Sequence, residues 1–253
     1  MRRNEYYKLA DPQGWDFYTH ETINYRESIG KTVSVPNVKG KAELCSNTVI
    51  HASKKPNNCF IGAKIPCSAF IVKGTPIVKD SDKAGFKELF VIEEIPQEQL
   101  DDVFGWKYSE VCNPIHPFKI MPPKIMQAHR EFLKNWASVG DSVWASMGAS
   151  VGDSVGDSVW ASVWDSVWAS VWASVWASVW ASVGAYIGSL FPNIKEWKHV
   201  KHKRGTYPFQ PAVDLWRQGL VPSLDGEIWR LHGGKKAKVL FEISKEKLEE
   251  ASS

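Results

Sequence analysis

At 253 residues and 43% apolar composition, the chain is long enough to bury one large core or two small ones, which excludes a disordered or fibrous class. Its formal net charge of +3 is too small to mark the whole chain as a polyanion binder, and it is unevenly spread: +3 over residues 1–136, −4 over 137–188 and +4 over 189–253. The opening MRRNEYYKLADPQGW has basic residues with no apolar stretch behind them, so no secretory leader is expected, the default location is cytoplasmic, and Cys45, Cys59, Cys67 and Cys112 read as reduced thiols.

In chain order, residues 14–95 read as strands and turns. The runs TINYRE, KTVSVP, NTVIHAS, AFIVKGTPIVKD and ELFVIEEI are β-rich and are separated by Gly, Pro and Asn, as in a twisted, mostly antiparallel sheet. Pro122 and Pro123 precede KIMQAHREFLKNW, where Ile125, Met126, Phe132, Leu133 and Trp136 recur at helical spacing, so a helix leads into residue 137 and the segment beyond it. Beyond residue 188, LVPSLDGEIWRLHGGKKAKVLFEIS predicts strands joined by an Asp-Gly and a Gly-Gly turn, before a short polar end. The C-terminal part is too short to bury a core alone. The expected fold is therefore α+β, one mostly antiparallel domain built from both flanks (1–136 and 189–253) with residues 137–188 inserted.

That insert is a tetrapeptide repeat. Twelve consecutive words run from Ala137 to Gly184, with a degenerate AYIG after them. The first position is Ala or Asp (Asp141, Asp153, Asp157, Asp165), the second is always Ser, the third is Val except at Met147, and the fourth is Trp or Gly. A position that tolerates Asp must face water, because an unpaired buried carboxylate costs several kcal/mol. A position that takes either Trp or Gly cannot be tightly packed in every copy. Ser and Val remain as the structural pair. A helix turns about 100° per residue, so the Val stripe drifts by about 40° per word and circles the helix over twelve words. A solenoid keeps every word equivalent, which favours a β-solenoid with helical packing as the alternative. Ser166–Phe191 is also a charge-free run long enough for a membrane span, but its regular Ser and evenly spread Trp argue against one.

These segments carry two resemblances. GWDFYTHETINYRE, LCSNTVIHAS and YPFQPAVDLWRQGLVPSLDGEIWRLHGG, flanking Ser-Val-Trp-Asp-type words, resemble uncharacterised proteins of bacteriophages and environmental prokaryotes; that resemblance implies no activity. The array itself is similar to pentapeptide-repeat proteins, whose five-residue words each form one side of a square β-helix, although its word is one residue shorter.

Chemistry-bearing candidates are few. Cys45 and His51 share one face if LCSNTVIHAS is a strand, about 20 Å apart at ~3.3 Å per residue, and only a tight turn at Ser46-Asn47 would bring them together as nucleophile and base. Cys45, His51, Cys59 and Cys67 lack the spacing of a zinc site, so no metal is expected, and without a Gly-rich phosphate loop, HExxH or GxSxG no cofactor is expected either. Lys195, Lys198, Lys201, Lys203 and Arg204 form a basic patch around Trp197 that could hold phosphates while the indole stacks on a base, or simply be solvated. Trp144, Trp160, Trp164, Trp168, Trp172, Trp176 and Trp180 offer rigid contact area for a protein partner or for self-association, unless they bury one another. The leading expectation is a non-enzymatic assembly or interaction protein. Its rival is a phage-type enzyme acting on a nucleotide or nucleic acid in the flanking domain, and a membrane-associated protein is the third reading.

Overall fold

Residues 4–35, 40–171 and 180–250 are described by the computed structural model, and they divide into two compact units, Met1–Ser109 with Val155–Ser162 and Glu110–Ser154 with Val163–Ser253. In the first unit, β1 (Glu5–Ala10), β2 (Thr32–Ser34), β3 (Ile50–Ala52), β4 (Ser68–Lys73), β5 (Val78–Lys79), β6 (Ala84–Phe86) and β7 (Glu88–Glu94) make two antiparallel sheets, ordered β1-β4-β7-β2 and β3-β6-β5. Tyr7 exchanges backbone hydrogen bonds with Ser53 at 2.7 and 3.0 Å, which draws the end of β3 against β1. Tyr6, Ile50, Phe70, Val72, Phe86 and Leu89 fill the core, with Tyr6 edge-on to Phe86 at 4.8 Å. After β7, α1 (Leu100–Phe104) adds an aromatic cluster in which Phe104, Trp106 and Tyr108 pack on Phe60 and one another.

Four of the five β-rich runs contain strands, and TINYRE does not. There Asn24 and Asp16 turn the chain: the Asn24 carboxamide accepts from the Glu27 N–H, and Asp16 from the N–H groups of Tyr18 and Thr19. Side chains that bond to nearby backbone compete with strand pairing, and here they win.

The second unit begins within α2 (Tyr108–Cys112) and continues through α3 (Gln127–Ala137). Of the apolar residues that predict α3, Leu133 and Trp136 are buried, while Met126 is the N-cap and 58% exposed; His129 is the third buried position. Near the C-terminus lie α7 (Gln210–Arg217), the antiparallel sheet β8 (Leu220–Asp225), β9 (Ile228–Gly233) and β10 (Lys238–Ser244), and α8 (Lys245–Glu250). The Asp225-Gly226 turn joins β8 to β9 as predicted, with Gly226 at φ +59°, where a side chain would be strained. Antiparallel sheets are thus present, but every described sheet draws its strands from one flank only.

Where it is described, the repeat is helical, and no β-solenoid forms among the described residues. Three helices carry it: α4 (Val143–Val155), α5 (Asp157–Val171) and α6 (Trp180–Gly188). Gly156, at φ +96°, separates α4 from α5 in a conformation that glycine adopts freely. The interruption answers the drift objection. Three Val positions in one helix drift by about 80° in total, inside an apolar stripe of about 100°. Accordingly Val143, Met147 and Val151 on α4, Val159, Val163 and Val167 on α5, and Val183 on α6 are all 0% exposed. Asp141, Asp153, Asp157 and Asp165 face solvent, as the Ala-or-Asp position requires. At three of the invariant Ser positions the hydroxyl reaches neighbouring backbone, whereas the buried Ser146 hydroxyl has no partner among the described residues: Ser182 donates to the Pro222 carbonyl at 2.9 Å, Ser166 to that of Val111 at 3.2 Å, and Ser150 accepts the Lys198 N–H at 2.9 Å. Part of the charge-free run, residues 172–179, lies outside the described residues; among those described, no helix is long and apolar enough to cross a membrane.

Candidate functional site

The first unit has an open cavity of about 360 Å³ where β1 and β3 meet the loops at 16–19, 45–47 and 59–63. Its walls include Ile23, Val35, Ile50 and Ile61, and five groups capable of acid–base or nucleophilic chemistry open onto it: Lys8, Asp16, Cys45, His51 and Lys83, with Cys59 beneath. A volume of this size accommodates a small organic ligand.

Asp16 is the anchor. It is 6% exposed, and its carboxylate accepts from Lys8 Nζ at 2.7 Å and the Tyr25 hydroxyl at 3.1 Å on one oxygen, and from the Tyr18 and Thr19 N–H groups on the other. Burial alone would raise its pKa. The Lys8 charge and the donated hydrogen bonds outweigh burial and hold the carboxyl below its usual value, so Asp16 is ionised and Lys8 compensated. The same burial, reinforced by Asp16, pushes the Tyr25 phenol well up.

His51 sits in β3 between Ile50 and Ala52. All three line the cavity, with Ile50 and Ala52 buried and His51 half-buried between them. Its Nε2 accepts the Cys45 N–H at 2.9 Å, and burial, then the Lys8 and Lys83 charges, lowers its pKa, so the imidazole is neutral. Cys45 itself lies in the turn at 44–48 with φ +60°, a left-handed conformation costly for a residue with a Cβ. The turn required to unite Cys45 and His51 therefore exists. It unites them through the backbone, however: the imidazole bonds the Cys45 amide, and the sulfur instead receives Lys83 Nζ at 2.8 Å.

Lys83 is placed by the β5–β6 turn, where Asp80 accepts the N–H groups of Asp82 and Lys83 at 2.8 Å each and Ala84 pairs with Ala52 of β3. No sequence signal links residues 38 apart, so Lys83, like Lys8 and Asp16, is invisible until the strands pair. The second thiol differs in kind: Cys59 donates to the Tyr7 carbonyl at 3.3 Å, and burial pushes it up to about 12, so it stays a thiol. Thr19 Oγ1 also lines the region, buried and with no hydrogen-bond partner among the described residues. No group of three His, Cys, Asp or Glu among the described residues comes together as a metal site would need.

Elsewhere, the indoles of the repeat pack largely on one another. Trp164 stacks on Trp168 at 5.5 Å, Trp168 meets Trp180 at 4.8 Å and Trp144 meets Trp164 at 5.2 Å. Trp144 and Trp180 nevertheless stay 42% and 39% exposed, Trp160 is half-buried, and Trp172 and Trp176 lie outside the described residues. In the basic patch, Lys195, Lys198, Lys201, Lys203 and Arg204 are exposed on a loop, but Lys198 is paired with Asp153. Trp197 is 3% exposed and edge-on to Tyr207 at 4.9 Å, so it is not free to stack on a base as the sequence suggests. Ser223 and His232 approach to 2.7 Å across β8 and β9, yet Ser223 is only 3% exposed, which fits a buried structural hydrogen bond.

The chain matches no protein-family model, no curated protein and no solved structure.

Proposed function

We propose that the first unit binds a small molecule that carries one anionic group on an apolar body. The observation that carries this reading is the cavity at β1 and β3, with apolar walls and, among the described residues that line it, one cation outside a salt bridge: Asp16 pairs with Lys8, His51 is neutral, and Lys83, near the Asp80 carboxylate but not bridged to it, remains. Thr19 Oγ1 supplies a spare hydroxyl for a polar group. The site lies in the flanking region, where the rival expectation puts the active site of an enzyme acting on a nucleotide or nucleic acid, rather than in the repeat.

The probe for this reading is 8-anilinonaphthalene-1-sulfonate, which has one sulfonate on two apolar rings. Wild-type chain should bind it with enhanced fluorescence. Gly62→Phe should abolish that binding, because Gly62 lines the cavity and a Cβ there meets nothing within 4 Å, so the ring enters open space without strain. Lys83→Met should weaken it about tenfold, in line with the loss of one charge-assisted contact. Unchanged binding in both variants would remove the cavity as the site.

A second reading, self-association through the repeat, is supported by the exposure of Trp144 and Trp180 side by side, with ring centroids 6.0 Å apart, in an array whose only charges are four carboxylates. Sedimentation velocity at tens of micromolar should then show wild-type chain as an oligomer and the double variant Trp144→Ser, Trp180→Ser as a monomer. A monomeric wild type would end this reading.

A further inference from the structure

We infer that Cys45 is the nucleophile of the cavity and accepts the acyl group of an activated ester or thioester, with Lys83 as its proton carrier; this inference rests on the cavity being a ligand site. Three observations converge on the sulfur. Cys45 lines the cavity and is the exposed thiol of the pair, whereas Cys59 is half-buried, donates to the Tyr7 carbonyl and is held protonated. Its sulfur and its amide are each fixed by a separate contact, Lys83 Nζ to Sγ at 2.8 Å and the Cys45 N–H to His51 Nε2 at 2.9 Å. These two contacts hold the residue at φ +60°, and non-glycine residues kept in that region are concentrated at sites where the surroundings over-determine a functional geometry.

The contacts set the division of labour. A thiol nucleophile needs a group within hydrogen-bond reach that can relay its proton, and that group is Lys83 rather than His51: its ammonium can hand one proton on and take the thiol's in exchange. His51 is committed to the backbone: its acceptor nitrogen holds the Cys45 amide, so it is a positioning residue that keeps the turn in place. In the step itself, Cys45 Sγ forms a bond to the acyl carbon and the bond from that carbon to the departing oxygen or sulfur breaks. Lys83, an ammonium ion at rest that donates to Sγ, gives a proton to the leaving group as that bond breaks and takes up the Sγ proton in exchange, so the cation is restored. The products are an S-acyl Cys45 and a free alcohol, phenol or thiol; no oxidant or reductant is consumed. An apolar acyl chain suits walls built from Ile23, Ile50 and Ile61.

The test uses p-nitrophenyl butyrate with the full chain. Wild type should release one p-nitrophenolate per chain in a burst at least tenfold faster than glutathione reacts at the same pH, and peptide mapping should place the butyryl group on Cys45. Cys45→Ser should abolish the burst and Cys112→Ser, outside the cavity, leave it unchanged. Lys83→Met should slow it tenfold or more. Lys83→Arg should remain as slow, because a guanidinium keeps the charge but cannot carry the proton. A butyryl group found on a lysine or on another cysteine, a burst that survives Cys45→Ser, or a rate equal to that of glutathione would each overturn the inference. Full activity in Lys83→Arg would overturn the role of Lys83. Sulfonate-probe binding by Cys45→Ser separates the two levels: if it persists while acylation fails, the cavity stands and the chemistry falls.

Discussion

Asp16→Asn is expected to destabilise the first unit by about 3–5 kcal/mol, the cost of removing one partner from a buried ion pair and leaving the other uncompensated. The substitution keeps the shape but exchanges one acceptor oxygen for an NH2 donor: the amide oxygen can still accept from the Tyr18 and Thr19 N–H groups, while the Tyr25 hydroxyl must turn from donor to acceptor. What cannot be repaired is Lys8, whose side chain is 13% exposed and whose ammonium has Asp16 as its ion-pair partner at 2.7 Å. The effect also has a signature in pH. The folded-state pKa of Asp16 is depressed, so its contribution is fully present above the ordinary carboxylate value of 3.8 and fades as pH falls through the lower folded value. The stability gap between wild type and Asp16→Asn should therefore be constant near neutrality and shrink as pH is lowered below about 4. Amide hydrogen exchange along β1 and β4 reads this unit separately from the rest. A gap that is absent at neutral pH, or one that widens in acid, would contradict the assigned pair.

Those same residues mark where the sequence stops being legible. Local signals carry through: the period of KIMQAHREFLKNW yields α3, Asp225-Gly226 yields the β8–β9 hairpin, and Ser46-Asn47 lies in the turn that brings Cys45 to His51. Each is decided within about a dozen residues. The strand EYYKLA is missed because nothing before it sets a boundary, and its evidence is its pairing with β4, more than sixty residues away. Lys8, Asp16 and Lys83 belong to this second class. A lone lysine or aspartate carries no local pattern, and only the meeting of β1, β3 and β6 gives each its role. In the repeat the per-word constraints hold, with Val inside and Asp outside, while the architecture differs because Gly156 breaks the array between α4 and α5, so that within α4 the Val stripe stays on one face.

That division makes the fourth position of the word the most discriminating place to test the repeat. Gly148 and Gly184 occupy the same position in the sequence pattern, and replacing either by Trp makes the array more regular. Their surroundings are opposite. At Gly148, exposed on α4, a Cβ meets nothing within 4 Å, so Gly148→Trp should be neutral or stabilising by about 0.5 kcal/mol, the difference in helix propensity between the two residues. At Gly184, buried on α6, a Cβ already reaches Val143 Cγ1 at 3.0 Å, and Val143 is itself 0% exposed. One turn on, a Cβ at Gly188 would run into the Met147 sulfur and the Tyr207 hydroxyl, so the neighbouring turn offers no room to yield. An indole forced into that helix contact should cost about 3 kcal/mol or more, at or beyond the upper end of overpacking penalties. Urea unfolding of the two variants side by side gives the comparison. If the array were governed by its word alone, both substitutions would behave alike. Opposite responses would show that the Trp-or-Gly choice is set copy by copy: Trp where the helix faces outward, Gly where two helices close to contact.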